Sequence, residues 1–206
     1  MNIAVIAASG QSGKAFVEQA LNAGHSVRAG VRRTNTLTSH PRLQIVTCDA
    51  TNQTDVEALI KDQDAVVSCI GHVKNSPAQV QTEAMRTIVA VMQRQGMSRL
   101  VSLTGTGVRF PGDNINIMDR LLNSGILLVD PARIQDGKDH VALLQQTELA
   151  WTVIRVLKLQ NTKLRPFHLT LHGPAKVIVS RQEVALAMLQ VLEDETFIQQ
   201  APIVSN

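Results

Sequence analysis

Short apolar runs alternate with longer amphipathic segments along the first half of the chain. Ile3, Ala4, Val5 and Ile6 form a continuous apolar run, which predicts a buried strand. Similar runs at 26–31, 43–47, 65–69 and 100–103 predict four more. Between them, residues 14–22, 54–61 and 78–95 carry helical periodicity. In the longest of these segments Ala84, Ile88, Val91 and Met92 share a face, and Gly96 marks the stop. Strands that are apolar without alternation belong to a parallel sheet covered on both faces. The expected fold is a doubly wound α/β sheet with helices on both faces, built as one domain over residues 1–206.

Beyond Thr104 the pattern loosens. Residues 105–116 hold three glycines and a proline and read as a loop. Segments 117–129 and 131–147 read as helices, 151–156 as a sixth strand, and 177–179 as a short apolar stretch. Ser180 with Glu183 three residues later forms a capping-box signature for a helix over 181–192. Ile203-Val204 reads as a last strand. The substrate-side elements are expected mainly within 105–145 and 157–180.

The first strand runs into Ala7-Ala8-Ser9-Gly10-Gln11-Ser12-Gly13 and then into a helix. That context gives the glycines their meaning. A diphosphate must come close to backbone N–H groups, and side chains would block it; the helix start adds unpaired donors and a favourable dipole. Ala7 stands where a first glycine is expected, so the turn is expected to differ slightly in shape. The second strand ends at Val31, and Arg32-Arg33 follow. About 20 residues past the turn, an acid would accept hydrogen bonds from a free ribose 2′-OH. No Asp or Glu occurs between Gln19 and Cys48, and two arginines take that place. Arginine can pair a phosphate in forked geometry, so NADP(H) is expected rather than NAD(H), with Arg32 on the 2′-phosphate. Asp49-Ala50 follows the third strand; Asp49 reads either as an adenine contact or as a loop or capping acid. Ile70-Gly71 and Leu103-Thr104-Gly105 close the fourth and fifth strands, at the carboxyl edge where open α/β sheets bind ligands.

Charge and cysteine content narrow the classes. The net charge is +3, and no run of Lys or Arg exceeds Arg32-Arg33, so no nucleic-acid partner is expected. No uncharged apolar run approaches the ~20 residues of a membrane span. The first residues show no basic stretch followed by a long apolar one, so no signal peptide is expected. Cys48 and Cys69 match no metal or disulfide spacing, which suits a reduced, cytoplasmic setting and a protein without a metal. The chain contains no tyrosine, which excludes a tyrosyl proton donor from it.

The run 3–13, Val31-Arg32, Asp64-Ala65-Val66-Val67 with Gly71, Trp151-Thr152-Val153-Ile154-Arg155, and Ser180-Arg181-Gln182-Glu183-Val184-Ala185 resemble the atypical short-chain dehydrogenase/reductase superfamily. Within it they are most similar to the small NmrA-like NAD(P)H-binding proteins, including the biliverdin reductase B (flavin reductase) type. The resemblance covers essentially the whole chain. It implies a Rossmann fold with a small C-terminal substrate region. It implies that Ser9, Gly10, Gln11, Ser12 and Gly13 cradle the diphosphate, that Arg32 binds the 2′-phosphate, and that Gly71 and Thr104 lie near the nicotinamide. Two departures bear on catalysis: the Tyr-x-x-x-Lys pair of the wider superfamily is missing, and Gly105 stands where the flavin reductase type has Ser.

Hydride transfer is the cofactor's chemistry, and the protein orients the ring and can supply a proton. Thr104 and Thr106 can hydrogen-bond a carbonyl or amide. His72 can line the cofactor mouth, and His140, expected near a helix start, can act as an acid. Lys158, after the sixth strand, reads as a steering charge or donor, or as a surface lysine. Arg155 reads as a structural residue bonding loop carbonyls, and Cys69 as core. Trp151 and the Leu, Ile and Met residues of 115–129 read either as walls of an apolar pocket or as helix core. The expected function is an NADPH-dependent oxidoreductase acting on a flavin, quinone or similar flat acceptor, as a monomer or homodimer. The rival is a non-catalytic NADP(H) sensor that binds a protein partner. A sugar-nucleotide epimerase or dehydratase is disfavoured, since the substrate region is short and the tyrosine is missing.

Overall fold

β1 (Asn2–Ile6) sends alternate side chains to opposite faces of a sheet, and both faces are covered. Ile3 and Val5 join one apolar cluster, Ala4 and Ile6 the other. This is why the strand reads as an unbroken apolar run. In the computed structural model, which describes residues 1–33, 36–73 and 75–205, the elements that follow are α1 (Gln11–Asn22), β2 (Ser26–Val31), β3 (Leu43–Thr47), α2 (Gln53–Ile60), β4 (Ala65–Ser68), α3 (Val80–Arg94) and β5 (Arg99–Gly105). The second half adds α4 (Ile117–Val129), α5 (Pro131–Gln145), β6 (Ala150–Val156), β7 (Lys158–Gln160), β8 (His168–Thr170), β9 (Ile178–Ser180), α6 (Arg181–Glu193) and β10 (Ile203–Ser205).

The main sheet runs in the order β3-β2-β1-β4-β5-β6-β10-β8. Its pairings are parallel except for β8, which is antiparallel to β10. The chain winds outward in both directions from β1, so β1 and β4 flank a topological switch point, where open α/β sheets hold ligands. The fold is Rossmann-like, as expected. Phe16, Val17 and Ala20 of α1 pack with Val184, Met188 and Val191 of α6 on one face. Val56 and Leu59 of α2, Met85 and Ile88 of α3, and Val141 and Leu144 of α5 cover the other.

The observed structure departs from the sequence expectations in three places, two in the elements and one in which face of a helix is buried. Helix α1 begins at Gln11 rather than at residue 14, because Gly13, a weak helix former, sits inside its first turn for packing reasons. Strands β7 and β8 carry no readable period at three residues each; β7 pairs with β9 in a separate two-stranded sheet, with Leu159 opposite Val179. Helix α4 is a clear correction. Its apolar residues neither wall a pocket nor form core: Ile117, Met118, Leu121, Leu127, Leu128 and Val129 are exposed, and its buried residue is Asp119. Asp119 is bound by the Arg109 guanidinium and by Asn123 Nδ2 at 2.8 Å, so the polar side of α4 faces the protein. Trp151 lies in the core instead.

Two buried ionic clusters pin the second half. Arg155 is 1% exposed and donates to both carboxylate oxygens of Asp113 at 2.6 and 3.0 Å, and to the carbonyls of Ala201, Val108 and Leu171. It is a structural residue bonding loop carbonyls, as its place at the strand end suggests. Glu183 completes the capping box with Ser180 and also accepts from Arg165 N–H at 3.0 Å and pairs with Lys176 at 3.2 Å. The 165–176 segment is thereby tied to the start of α6.

Candidate functional site

The turn after β1 is shaped by what its residues lack. Ala7 adopts φ 57°, the left-handed conformation a glycine would supply, at a cost of roughly 1–2 kcal/mol. Gly10 N–H closes the turn on the Ala7 carbonyl at 3.0 Å, and Ala8 N–H bonds the Gly30 carbonyl of β2 at 3.1 Å. A Cβ on Gly13 would lie 2.3 Å from the Ala7 oxygen and 2.7 Å from Ala8 Cα, so the first turn of α1 presses directly on the loop. The first intrahelical bond runs from Lys14 N–H to the Gly10 carbonyl at 2.8 Å. No side chain caps Gly10, and the first turn holds no acid. The N–H groups of Gln11, Ser12 and Gly13 thus stand at an uncapped, positive helix end beside a side-chain-free cradle. A dinucleotide diphosphate fits this donor set.

Arg32 and Arg33 follow β2 and are exposed. Asp49 follows β3, with Ala50 half-buried beside it. Its Oδ1 accepts from Thr51 N–H at 3.0 Å and Thr51 Oγ1 at 2.8 Å. These bonds, with the charge of nearby Arg32, hold its carboxyl below the ordinary range. Arg32 and Asp49 are therefore neighbours at the ends of β2 and β3.

At the end of β4, a Cβ on Gly71 would meet nothing within 4 Å, which leaves its backbone approachable. The carbonyls of Ile70 and Leu103 both accept from Gln81 Nε2, at 2.9 and 3.3 Å. Gln81 thus ties the ends of β4 and β5 together. Sequence reasoning missed it, although a glutamine in line with Ala84 and Ile88 on an apolar helix face was a usable signal. Thr104 is buried, and its Oγ1 would sit 2.7 Å from a Cβ on Gly137, so α5 touches the end of β5 here. Gly105 is exposed, and Thr106 Oγ1 accepts from Asn123 Nδ2 at 3.1 Å.

His72 Nε2 lies 2.8 Å from Asp136 Oδ2. Asp136, on α5, was not singled out from the sequence. It also accepts from Gln81 N–H at 2.8 Å, Thr82 N–H at 2.9 Å and Thr82 Oγ1 at 2.6 Å, capping α3 from a neighbouring helix. Burial works to raise its pKa, but the hydrogen bonds from Thr82, Gln81 and His72 prevail and hold it below the ordinary value. His72 borders a cavity of about 440 Å³ with Asn75, Ser76, Asp130 and Arg133.

His140 requires a correction. It sits in the second half of α5, is 1% exposed, and meets Ser102 Oγ at 3.1 Å. Burial pushes its pKa down to about 4, against the pull of the Asp136 charge. A ring that is neutral near pH 7 and closed to solvent is no proton donor at the mouth. Lys158 is exposed at the start of β7. Cys48 and Cys69 are free and buried, and desolvation pushes both thiols up to about 12. Among the described residues no group of three or more His, Cys, Asp or Glu is placed to hold a metal, and no helix is long and apolar enough to cross a membrane.

A glycine cradle under an uncapped helix, at the switch point of a parallel sheet, defines a dinucleotide-binding class of protein. The chain belongs to the NAD(P)H-binding family, whose model matches residues 7–195. It is similar to a wide-type short-chain dehydrogenase/reductase from Veillonella parvula solved in complex with NADP, at 16% identity, 100% coverage of this chain and 94% of that one, and TM-score 0.83. A candidate NADH-flavin reductase from Streptococcus pneumoniae aligns at 22% identity over 99% of this chain and 98% of that one, with TM-score 0.78. A chloroplastic protein of Arabidopsis thaliana is 28% identical over 173 residues, covering 76% of this chain. The aligned stretch spans 59% of that relative's length.

Proposed function

We propose that this protein is an NADPH-dependent oxidoreductase that reduces a flat acceptor of the flavin or quinone class. The observation that carries the reading is the uncapped start of α1 over the Gly13 cradle, with Arg32 at the end of the neighbouring strand. In this reading the backbone of Ala8, Ser9, Gly10, Gln11, Ser12 and Gly13 holds the diphosphate. Arg32, with Arg33 beside it, meets the 2′-phosphate, and Asp49 and Ala50 border the adenine. Ile70, Gly71, Leu103, Thr104 and Gly105 line the nicotinamide half. Bound NADPH supplies the hydride; Thr104, His72 and Lys158 orient the acceptor. The NADP of the Veillonella neighbour and the described activity of the Streptococcus one support this choice of cofactor and acceptor. The reading takes the protein as cytoplasmic, one domain per chain, monomeric or dimeric. The test mixes protein and NADPH with a panel of flavins and quinones. NADPH oxidation above background by at least one acceptor is expected; none by any acceptor overturns the reading.

One observation favours the sensor alternative. Helix α4 exposes six large apolar side chains beside a chain that has no tyrosine, which suits a protein partner better than turnover. Under it, a partner or a second copy is retained differently with NADP⁺ and with NADPH, and no acceptor is reduced.

A further inference from the structure

We infer that His72 is the proton donor to the acceptor and that Asp136 is the residue that positions it. The inference rests on the oxidoreductase reading above. Asp136 Oδ1 and Oδ2 take hydrogen bonds from two backbone N–H groups and one hydroxyl, so the carboxylate acts as an acceptor throughout. His72 Nε2, at 2.8 Å from the same group, must then carry a hydrogen. That fixes the tautomer and leaves Nδ1 as the working nitrogen, the logic by which a buried carboxylate orients an imidazole in acid–base catalysis. Nδ1 has no hydrogen-bond partner among the described residues, and His72 is one of the residues lining the 440 Å³ cavity.

The position suits the role. His72 follows Gly71 at the end of β4, the strand paired with β1, whose end carries the glycine cradle. Gly137 follows Asp136 on α5 and gives Thr104 Oγ1 its close approach, so one turn of α5 holds both the His72 ring and the end of β5. Asp136 is 1% exposed and its carboxylate is bound by His72, Gln81 and Thr82, which keeps it from turning. Among the described residues, Asp136 of α5 pairs with the ring, and Asp130 and Arg133 line the same cavity as His72. With no tyrosine in the chain, a proton for the acceptor needs another source.

The step balances. NADPH gives a hydride to the acceptor and leaves as NADP⁺. The acceptor atom that gathers the negative charge takes the proton from His72 Nδ1, so one N–H bond breaks and one O–H or N–H bond forms. His72 then regains a proton from solvent. The sum is NADPH, one proton and the oxidised acceptor giving NADP⁺ and the two-proton reduced acceptor.

The experiment follows NADPH oxidation against pH with menadione and with FMN, together with NADPH affinity by fluorescence. Wild-type kcat is expected to fall as pH rises. His72→Gln should lower kcat by roughly 10²-fold, remove that limb, and leave NADPH affinity within about twofold. Added imidazole should restore part of the rate to His72→Gly, which a structural role would not allow. Asp136→Asn should move the limb to lower pH by weakening the protonated ring; if it fails to fold, the two His72 variants decide. Wild-type turnover that His72→Gln leaves intact, limb included, overturns the inference alone. Wild-type protein that oxidises NADPH with neither of these nor any other acceptor of the panel overturns the oxidoreductase reading and this inference with it.

Discussion

The turn after β1 and the meeting place of β4, β5 and α5 are built in opposite ways. At the turn, the free donors are backbone N–H groups, and the sequence leaves them open by leaving side chains out. Everything needed lies within seven consecutive residues. At the other place, side chains do the work, and they come from far apart. His72 reaches Asp136 across 64 positions, and Thr82 reaches it across 54. The first region is encoded locally by shape, the second by long-range hydrogen bonding. Mutations should therefore act differently in the two.

The sharpest break is Gly13→Ala. One methyl group would lie 2.3 Å from the Ala7 oxygen, and neither loop nor helix backbone can yield without losing the cradle. Detectable NADPH binding should vanish in a fluorescence titration. Gly71→Ala is the contrast, since its added Cβ meets nothing within 4 Å and its thermal stability should stay within about 0.5 kcal/mol of wild type. Normal NADPH affinity in Gly13→Ala would mean the cradle is not where the nucleotide sits.

Next in size is Arg155→Ala. It leaves the Asp113 carboxylate buried without its two guanidinium bonds and frees three loop carbonyls. Removing one partner of a buried pair costs about 3–5 kcal/mol. Urea denaturation should show that loss; a change under ~1 kcal/mol would mean the loop relaxes to water without cost.

Stability against pH separates the two regions further, because the glycine turn contains no titrating side chain. The folded protein keeps His140 neutral down to about 4, whereas the unfolded chain takes up the proton near 6.5. Between those values the unfolded state binds more protons, so stability falls as pH falls through the window and is untouched by this group above it. At 1.36 kcal/mol per pH unit the full drop is about 3 kcal/mol. Denaturation at pH 7 and pH 4.5 should reveal most of it, and His140→Asn should flatten the difference. An equal slope in the variant would assign the acid sensitivity to other groups.

The same contrast explains what was legible in the sequence. The strands β1, β4, β5 and β6 and a helix layer on each face could be read, because two-sided burial leaves mostly apolar runs and one-sided burial leaves a helical period. The Ser180–Glu183 box could be read because its partners are three residues apart. Asp136 could not, since an acid on a helix of weak amphipathic character shows no sign of the helix end it caps. Helix α4 was misread for a related reason: its apolar residues carry a clean period, but the side that faces the protein is the polar one, held through Asp119 and Asn123. Periodicity reports that a helix has two sides, and only contacts say which is inside.

The smallest effect sharpens the comparison from within the local region. Arg32 is a side chain, yet its place is set by strand length alone: it follows the last residue of β2, next to the cradle strand. Its neighbour Asp49 bears a negative charge that would repel a 2′-phosphate, and the two must be weighed together. Arg32→Ala should weaken NADPH binding by about 1.5–3 kcal/mol, roughly tenfold to a hundredfold, with little change for NADH. Asp49→Asn should shift selectivity the other way by a smaller amount, as its carboxylate is turned toward Thr51. Paired titrations with NADPH and NADH check both. Equal losses for the two nucleotides in Arg32→Ala would place the arginine away from the phosphate, and the nucleotide region would then discriminate by backbone shape only.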